Sequence, residues 1–160
     1  MKFLRHFQTQ VEPEKPASKW RLSEEGKQNS QRFVENNSFD VEKVYTSTEP
    51  KAIKTAEKIA KKADTEIVKT DLLCEVDRSD QGFVEDHESY IELVEDYLTG
   101  GSEAKWESQK EVRQRFRNFI RKAEENSIAV THGMFLSLNI PEEDKVEYWK
   151  QLGFGEVVRF

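Results

Sequence analysis

The chain has 160 residues, with 31 Asp and Glu against 25 Lys and Arg, for a formal net charge of −6. That length suits one domain spanning residues 1–160 around one core. The acidity argues against a general nucleic-acid binder or an anionic-membrane binder, since both need a basic excess. The lone cysteine, Cys74, allows no disulfide within the chain and is expected as a small buried residue in an intracellular setting. Met1 to Phe7 lacks a charged leader followed by a long apolar run, and no apolar stretch approaches membrane-spanning length. The expectation is a soluble cytoplasmic protein.

In chain order, Lys2 to Phe7 is short and apolar and reads as a first strand, ended by a loop containing Pro13 and Pro16. Ser23-Glu24-Glu25 supplies a cap and first-turn acids, so a helix is expected from there to about Asn36. Lys43 to Ser47 reads as a second strand. After Pro50, the residues Ala52, Ile53, Ala56, Ile59, Ala60 and Ala63 recur at helical spacing, with lysines on the other side as a solvated face. Thr65 to Thr70 reads as a third strand and Asp86 to Leu98 as a helix, followed by a break at Thr99-Gly100-Gly101-Ser102. Glu103 to Glu124 is expected to be the longest helix, with Trp106, Val112, Phe116, Phe119 and Ile120 facing inward. Ser127 to Thr131 reads as a strand, Lys145 to Leu152 as a short helix and Glu156 to Phe160 as a last strand. Strands alternating with helices predict an α/β fold, a mainly parallel sheet covered by helices on both faces in three layers.

In such sheets ligands bind beyond the carboxyl ends of the strands. Arg5-His6 ends the first predicted strand and His132-Gly133 the fourth; Lys51 follows the second and Glu75 the third. A phosphoryl group spreads charge over three oxygens and needs fixed cations and donors. Arg5 can grip two oxygens, Lys51 can add a point charge, and a neutral His6 can attack phosphorus. His132, if protonated, could steady the equatorial oxygens. Glu75 could protonate the leaving oxygen, with Asp77 as the alternative. Singly, each of these residues also fits a structural or surface role. His87, in the charged stretch Glu85 to Glu88, reads as a solvated surface residue. The three histidines lack metal-ligand spacing, and the scheme calls for no metal or cofactor.

Together, five segments resemble the histidine phosphatase superfamily, whose fold is phosphoglycerate mutase-like. They are Leu4-Arg5-His6-Phe7-Gln8-Thr9, Leu22-Ser23-Glu24-Glu25-Gly26-Lys27-Gln28, Ser47-Thr48-Glu49-Pro50-Lys51-Ala52-Ile53-Lys54-Thr55-Ala56, Leu73-Cys74-Glu75 and Val130-Thr131-His132-Gly133, in the family's order. The resemblance implies that His6 is the phosphorylated nucleophile and that Arg5, Lys51 and His132 form the phosphate pocket. It further implies that Glu75 is the proton donor and that Gln8 and Thr9 line the pocket mouth. Phe7 replaces the family's glycine, Lys51 its second phosphate-binding arginine, and Glu12 a frequent asparagine. About thirty residues separate Glu75 from the Trp106 segment, too few for the long cap of the mutases, so the cleft is expected to be open. The implied function is hydrolysis of a phosphorylated small molecule or phosphoprotein. A phosphoglycerate mutase-type phosphotransferase and a catalytically weak phosphate-binding or regulatory protein are the alternatives.

Overall fold

The computed structural model describes residues 1–101, 105–141 and 143–159. Five strands form one sheet: β1 (Lys2–Arg5), β2 (Lys43–Thr46), β3 (Ile67–Lys69), β4 (Ser127–Thr131) and β5 (Val157–Arg159). Their order is β3-β2-β4-β1-β5, parallel throughout except for β5, which pairs antiparallel with β1. Among the described residues the α-helices are α1 (Glu24–Asn36), α2 (Pro50–Ala63), α3 (His87–Thr99), α4 (Gln109–Ile120), α5 (Gly133–Asn139) and α6 (Lys145–Gln151).

Alternation along each strand sorts the core into two layers. Leu4, Val44, Ile128 and Val130 face one side and pack with Ala52, Ala56 and Ile59 of α2 and Val34 of α1. Phe3, Tyr45 and Ala129 face the other and pack with Val94, Val112, Phe119 and Phe135 from α3, α4 and α5. Both Phe3 and Leu4 are fully buried, so neighbouring residues of one strand anchor opposite layers, each by about 1.5–3 kcal/mol. The result is the expected three-layer α/β/α arrangement.

Local signals explain most helix boundaries. Ser23 caps α1 by accepting the Gly26 N–H at 3.0 Å, and Pro50 opens α2, where its missing N–H costs nothing. Gly26 is required by close packing. A Cβ there would sit 2.1 Å from the Gln8 carbonyl oxygen, which ties the strand-1 loop to α1.

Several expectations change. The long helix begins at Gln109, where Ser108 and Glu111 form a reciprocal capping box, and it ends at Ile120. Trp106 lies before that helix and packs on Tyr97, with ring centroids 5.1 Å apart, while Ile120 is exposed. Ser102, Glu103, Ala104 and Phe160 lie outside the described residues. Gly133–Asn139, to which the sequence pattern assigns no element, is a helix buried nearly all round, so its sequence carries no amphipathic period. Cys74 is half-buried rather than buried. Its Sγ lies 3.2 Å from Thr48 Oγ1 and 3.5 Å from Ser47 Oγ.

Candidate active site

The parallel register delivers the first pair of residues. Arg5 stands opposite Thr131 in the β1–β4 ladder, and the pairing continues one step further as His6 N–H donates to the Thr131 carbonyl at 3.0 Å. His6 and His132 therefore leave adjacent strands side by side, with ring centroids 5.0 Å apart at 63°. On the other flank of β4, Ser47 N–H donates to the Val130 carbonyl at 3.1 Å, which brings the end of β2 to the same place. Thr131 Oγ1 donates to the Leu73 carbonyl at 2.7 Å and anchors the turn that carries Glu75.

His6 is 6% exposed, and its Nδ1 faces the Phe7 carbonyl oxygen at 2.7 Å. A carbonyl only accepts, so Nδ1 carries the hydrogen and Nε2 keeps its lone pair. Burial is the largest cause holding the His6 pKa well below the usual 6.5; His132, Lys51 and Arg5 push the same way, and the Phe7 hydrogen bond opposes them. The ring is thus a neutral imidazole with a free nucleophilic nitrogen.

His132 is fully buried and is likewise held neutral, chiefly by burial and then by the charges of Lys51, Arg78, Arg5 and Arg115. Its Nε2 lies 2.8 Å from Ser47 Oγ and 3.3 Å from Glu49 Oε1. Its Nδ1 is buried without a hydrogen-bond partner, as is Arg5 Nε. Arg5 Nη1 donates to the Leu152 carbonyl, and its guanidinium carbon sits 4.1 Å above the Phe154 ring. That ring also stands 5.7 Å from His6, so the segment before β5 covers both residues. His6, Lys51 and His132 are almost inaccessible.

Lys51 is 5% exposed and enclosed. Its ammonium donates to the Ala17 carbonyl at 2.7 Å and forms an ion pair with Glu49 Oε2. The other Glu49 oxygen accepts the Glu75 N–H at 2.8 Å. Glu75 is half-buried, and its carboxylate accepts from the N–H groups of Val76 (3.0 Å), Phe135 (2.8 Å) and Met134 (3.2 Å), the last two at the start of α5. The loop beneath it is held by Arg115, which donates to the Leu72 and Cys74 carbonyls at 3.1 Å each and is itself clamped by Glu107 at 2.7 Å.

Some predicted site residues lie elsewhere. Gln8 turns toward α1, accepting from Asn29 Nδ2 at 3.2 Å and donating to Glu25 Oε1 at 3.4 Å. Thr9 pairs by backbone with Leu22 in an isolated bridge, and Glu12 pairs with Lys15. Asp77 is exposed and accepts the Ser79 N–H, and His87 is exposed at the start of α3. Phe7 stays clear of the histidine pair. It is buried in the α1/α2 layer against Phe33, in space that Gly155 leaves, since a Cβ on Gly155 would fall 2.3 Å from the Phe7 ring. Sequence reasoning did not single out Ser47, Glu49, Phe154 or Arg115. For Ser47 the motif around it was a signal; Glu49 was one acid among 31 acidic residues. Among the described residues, no group of three or more His, Cys, Asp or Glu side chains is placed to hold a metal ion. None of their helices is long and apolar enough to cross a membrane.

Comparison with curated proteins gives no significant match. Among solved structures, mycobacterial glucosyl-3-phosphoglycerate phosphatase superposes with a TM-score of 0.72 at 16% identity, covering 98% of this chain and 87% of that one. A phosphoserine phosphatase from Entamoeba histolytica gives 0.71 at 19% identity, covering 98% and 87%. YhfR from Bacillus stearothermophilus gives 0.74 at 20%, covering 96% and 86%. These likenesses establish the shared fold. Residues 1–146 match the sequence model of the histidine phosphatase superfamily, branch 1. With all but the last 14 residues inside that match and the fold in agreement, the chain belongs to the histidine phosphatase superfamily.

Proposed function

We propose that the protein is a phosphatase that hydrolyses phosphomonoesters through a phosphohistidine on His6. The observation that carries this reading is the state of His6: buried, neutral, with Nδ1–H committed to the Phe7 carbonyl and Nε2 left with its lone pair. In the first half-reaction His6 Nε2 attacks phosphorus, the ester oxygen leaves, and Glu75 gives it a proton. In the second, the Glu75 carboxylate takes a proton from water, whose oxygen attacks the phosphohistidine and frees inorganic phosphate and His6. Arg5 Nε and His132 Nδ1, both buried without partners, are the polar atoms that phosphoryl oxygens would satisfy. Lys51 contributes charge beside them.

The whole chain serves as one domain in this reading, and a cytoplasmic setting is in keeping with its unpaired cysteine. The structural relatives named for phosphorylated small molecules favour a substrate of that class, such as a phosphorylated three-carbon acid or phosphoserine. A phosphoprotein is the second choice. The test is phosphate release from 4-nitrophenyl phosphate, phosphoserine and 3-phosphoglycerate by the purified protein. Turnover of at least one is expected; turnover of none, with 3-phosphoglycerate isomerised instead, would favour a phosphotransferase.

A further inference from the structure

The contacts of Lys51 place an anion in the pocket before any substrate arrives. Glu49 is 5% exposed, and each of its carboxylate oxygens is engaged by groups of the site. One meets the Lys51 ammonium; the other meets the Glu75 N–H at 2.8 Å and lies 3.3 Å from His132 Nε2. Lys51 has three N–H donors, and the Ala17 carbonyl at 2.7 Å takes another of them. The charges acting on His6 therefore include those of Lys51 and Arg5, and the buried Glu49 carboxylate is paired with the first of these. A phosphoryl dianion entering beside His6 finds the Lys51 charge already paired.

Building on the phosphatase reading, we infer that Glu49 tunes product release: a resident carboxylate that competes with a bound phosphate anion for Lys51 and so weakens retention of inorganic phosphate. An ester brings further contacts through its organic part. Inorganic phosphate lacks those contacts, so the opposition that Glu49 sets against either anion leaves the product weakly held. The exposed ring of Phe154, 4.1 Å from the Arg5 guanidinium carbon, stands where an organic leaving group would gain contact. The device favours release of the product over its retention. Opposite charges in a pocket of low dielectric interact strongly, so removing one is expected to be visible in binding.

Calorimetric titration with inorganic phosphate tests this, supported by phosphate inhibition constants. Glu49→Gln keeps the acceptor for Glu75 N–H and removes the charge; it should bind phosphate about tenfold tighter than wild type, as expected for loss of a close like charge. Glu49→Leu, judged by its thermal melt, serves if the amide variant folds poorly. In the double variant Glu49→Gln/Lys51→Met the gain should vanish, because the cation that it frees is gone. Unchanged or weaker phosphate binding by a folded Glu49→Gln, in a protein that still forms phosphohistidine, would overturn the inference and leave the phosphatase reading standing. Absence of phosphate binding in every variant together with absence of phosphohistidine would overturn both.

Discussion

Around the end of β1 the site has unmet polar atoms. Arg5 Nε is buried without a partner, His6 Nε2 is free, and the neighbouring His132 Nδ1 also lacks a partner. Around the end of β2 the same site is internally closed. Ser47 meets His132, Lys51 meets Glu49 and Ala17, and Glu49 meets the Glu75 backbone. Unmet buried donors and acceptors cost stability, and a cluster of them beside a nucleophile is the pattern of a site completed by a ligand. The β1 half is therefore the reacting half and the β2 half its support. Changes in the first should strike turnover, and changes in the second should strike stability as well.

The largest effect is expected from His6→Ala, which removes the nucleophile. Turnover of 4-nitrophenyl phosphate should fall by about a thousandfold or more with the fold intact by circular dichroism. A variant keeping most of its activity would undo the division into halves. Lys51→Ala leaves Glu49 as a buried carboxylate without its ion partner, at a cost of about 3–5 kcal/mol in denaturant unfolding. The exposed Lys54–Glu57 pair on the same helix sets the contrast, since Lys54→Ala should cost at most about 0.5 kcal/mol. Equal costs would show that the buried Lys51–Glu49 pair adds no more stability than an exposed one. For Glu75→Gln, the amide can still accept from α5 but holds no acidic proton. An alkyl phosphate should slow by about a hundredfold and nitrophenyl phosphate by much less, because a good leaving group needs no proton. Similar slowing of both would assign Glu75 to support alone.

A further expected effect is on the pH dependence of stability. His6 and His132 both have folded pKa values pushed below 6.5, so the unfolded chain takes up protons first as pH falls. The stability they contribute is complete above pH 6.5 and is lost as pH drops toward their folded values, by about 1.4 kcal/mol per pH unit for each histidine. His132→Asn should flatten that slope, and an unchanged slope would place the acid sensitivity elsewhere.

Much of the fold was legible because strand and helix periods are written locally. Ser127–Thr131 has the predicted limits, and β1, β2 and β3 lie within theirs, one to three residues shorter. Ser23 and Pro50 mark helix starts by capping chemistry. The α5 segment was not legible, because a helix buried on all sides shows no polar face. The true start of α4 was written in Ser108 and Glu111, a capping box overridden by the apolar spacing of Trp106 with Val112, Phe116 and Phe119. At the site, strand ends pointed to Arg5, His6 and His132, and the structure sets the two imidazoles side by side. The sheet order that does this, with β4 between β1 and β2, depends on long-range pairing that no local pattern encodes. Glu49 was illegible for the same reason: its meaning lies in Lys51, His132 and Glu75, which meet only when the sheet is assembled.

The central claim is that His6 Nε2 accepts the phosphoryl group. Rapid quenching during turnover of 4-nitrophenyl phosphate, with peptide mass spectrometry under alkaline conditions, tests it most directly. The account predicts an added phosphate on His6 that survives base and is stripped by acid, absent from His6→Ala. Phosphate found on another residue, or full turnover with His6 never modified, would contradict it.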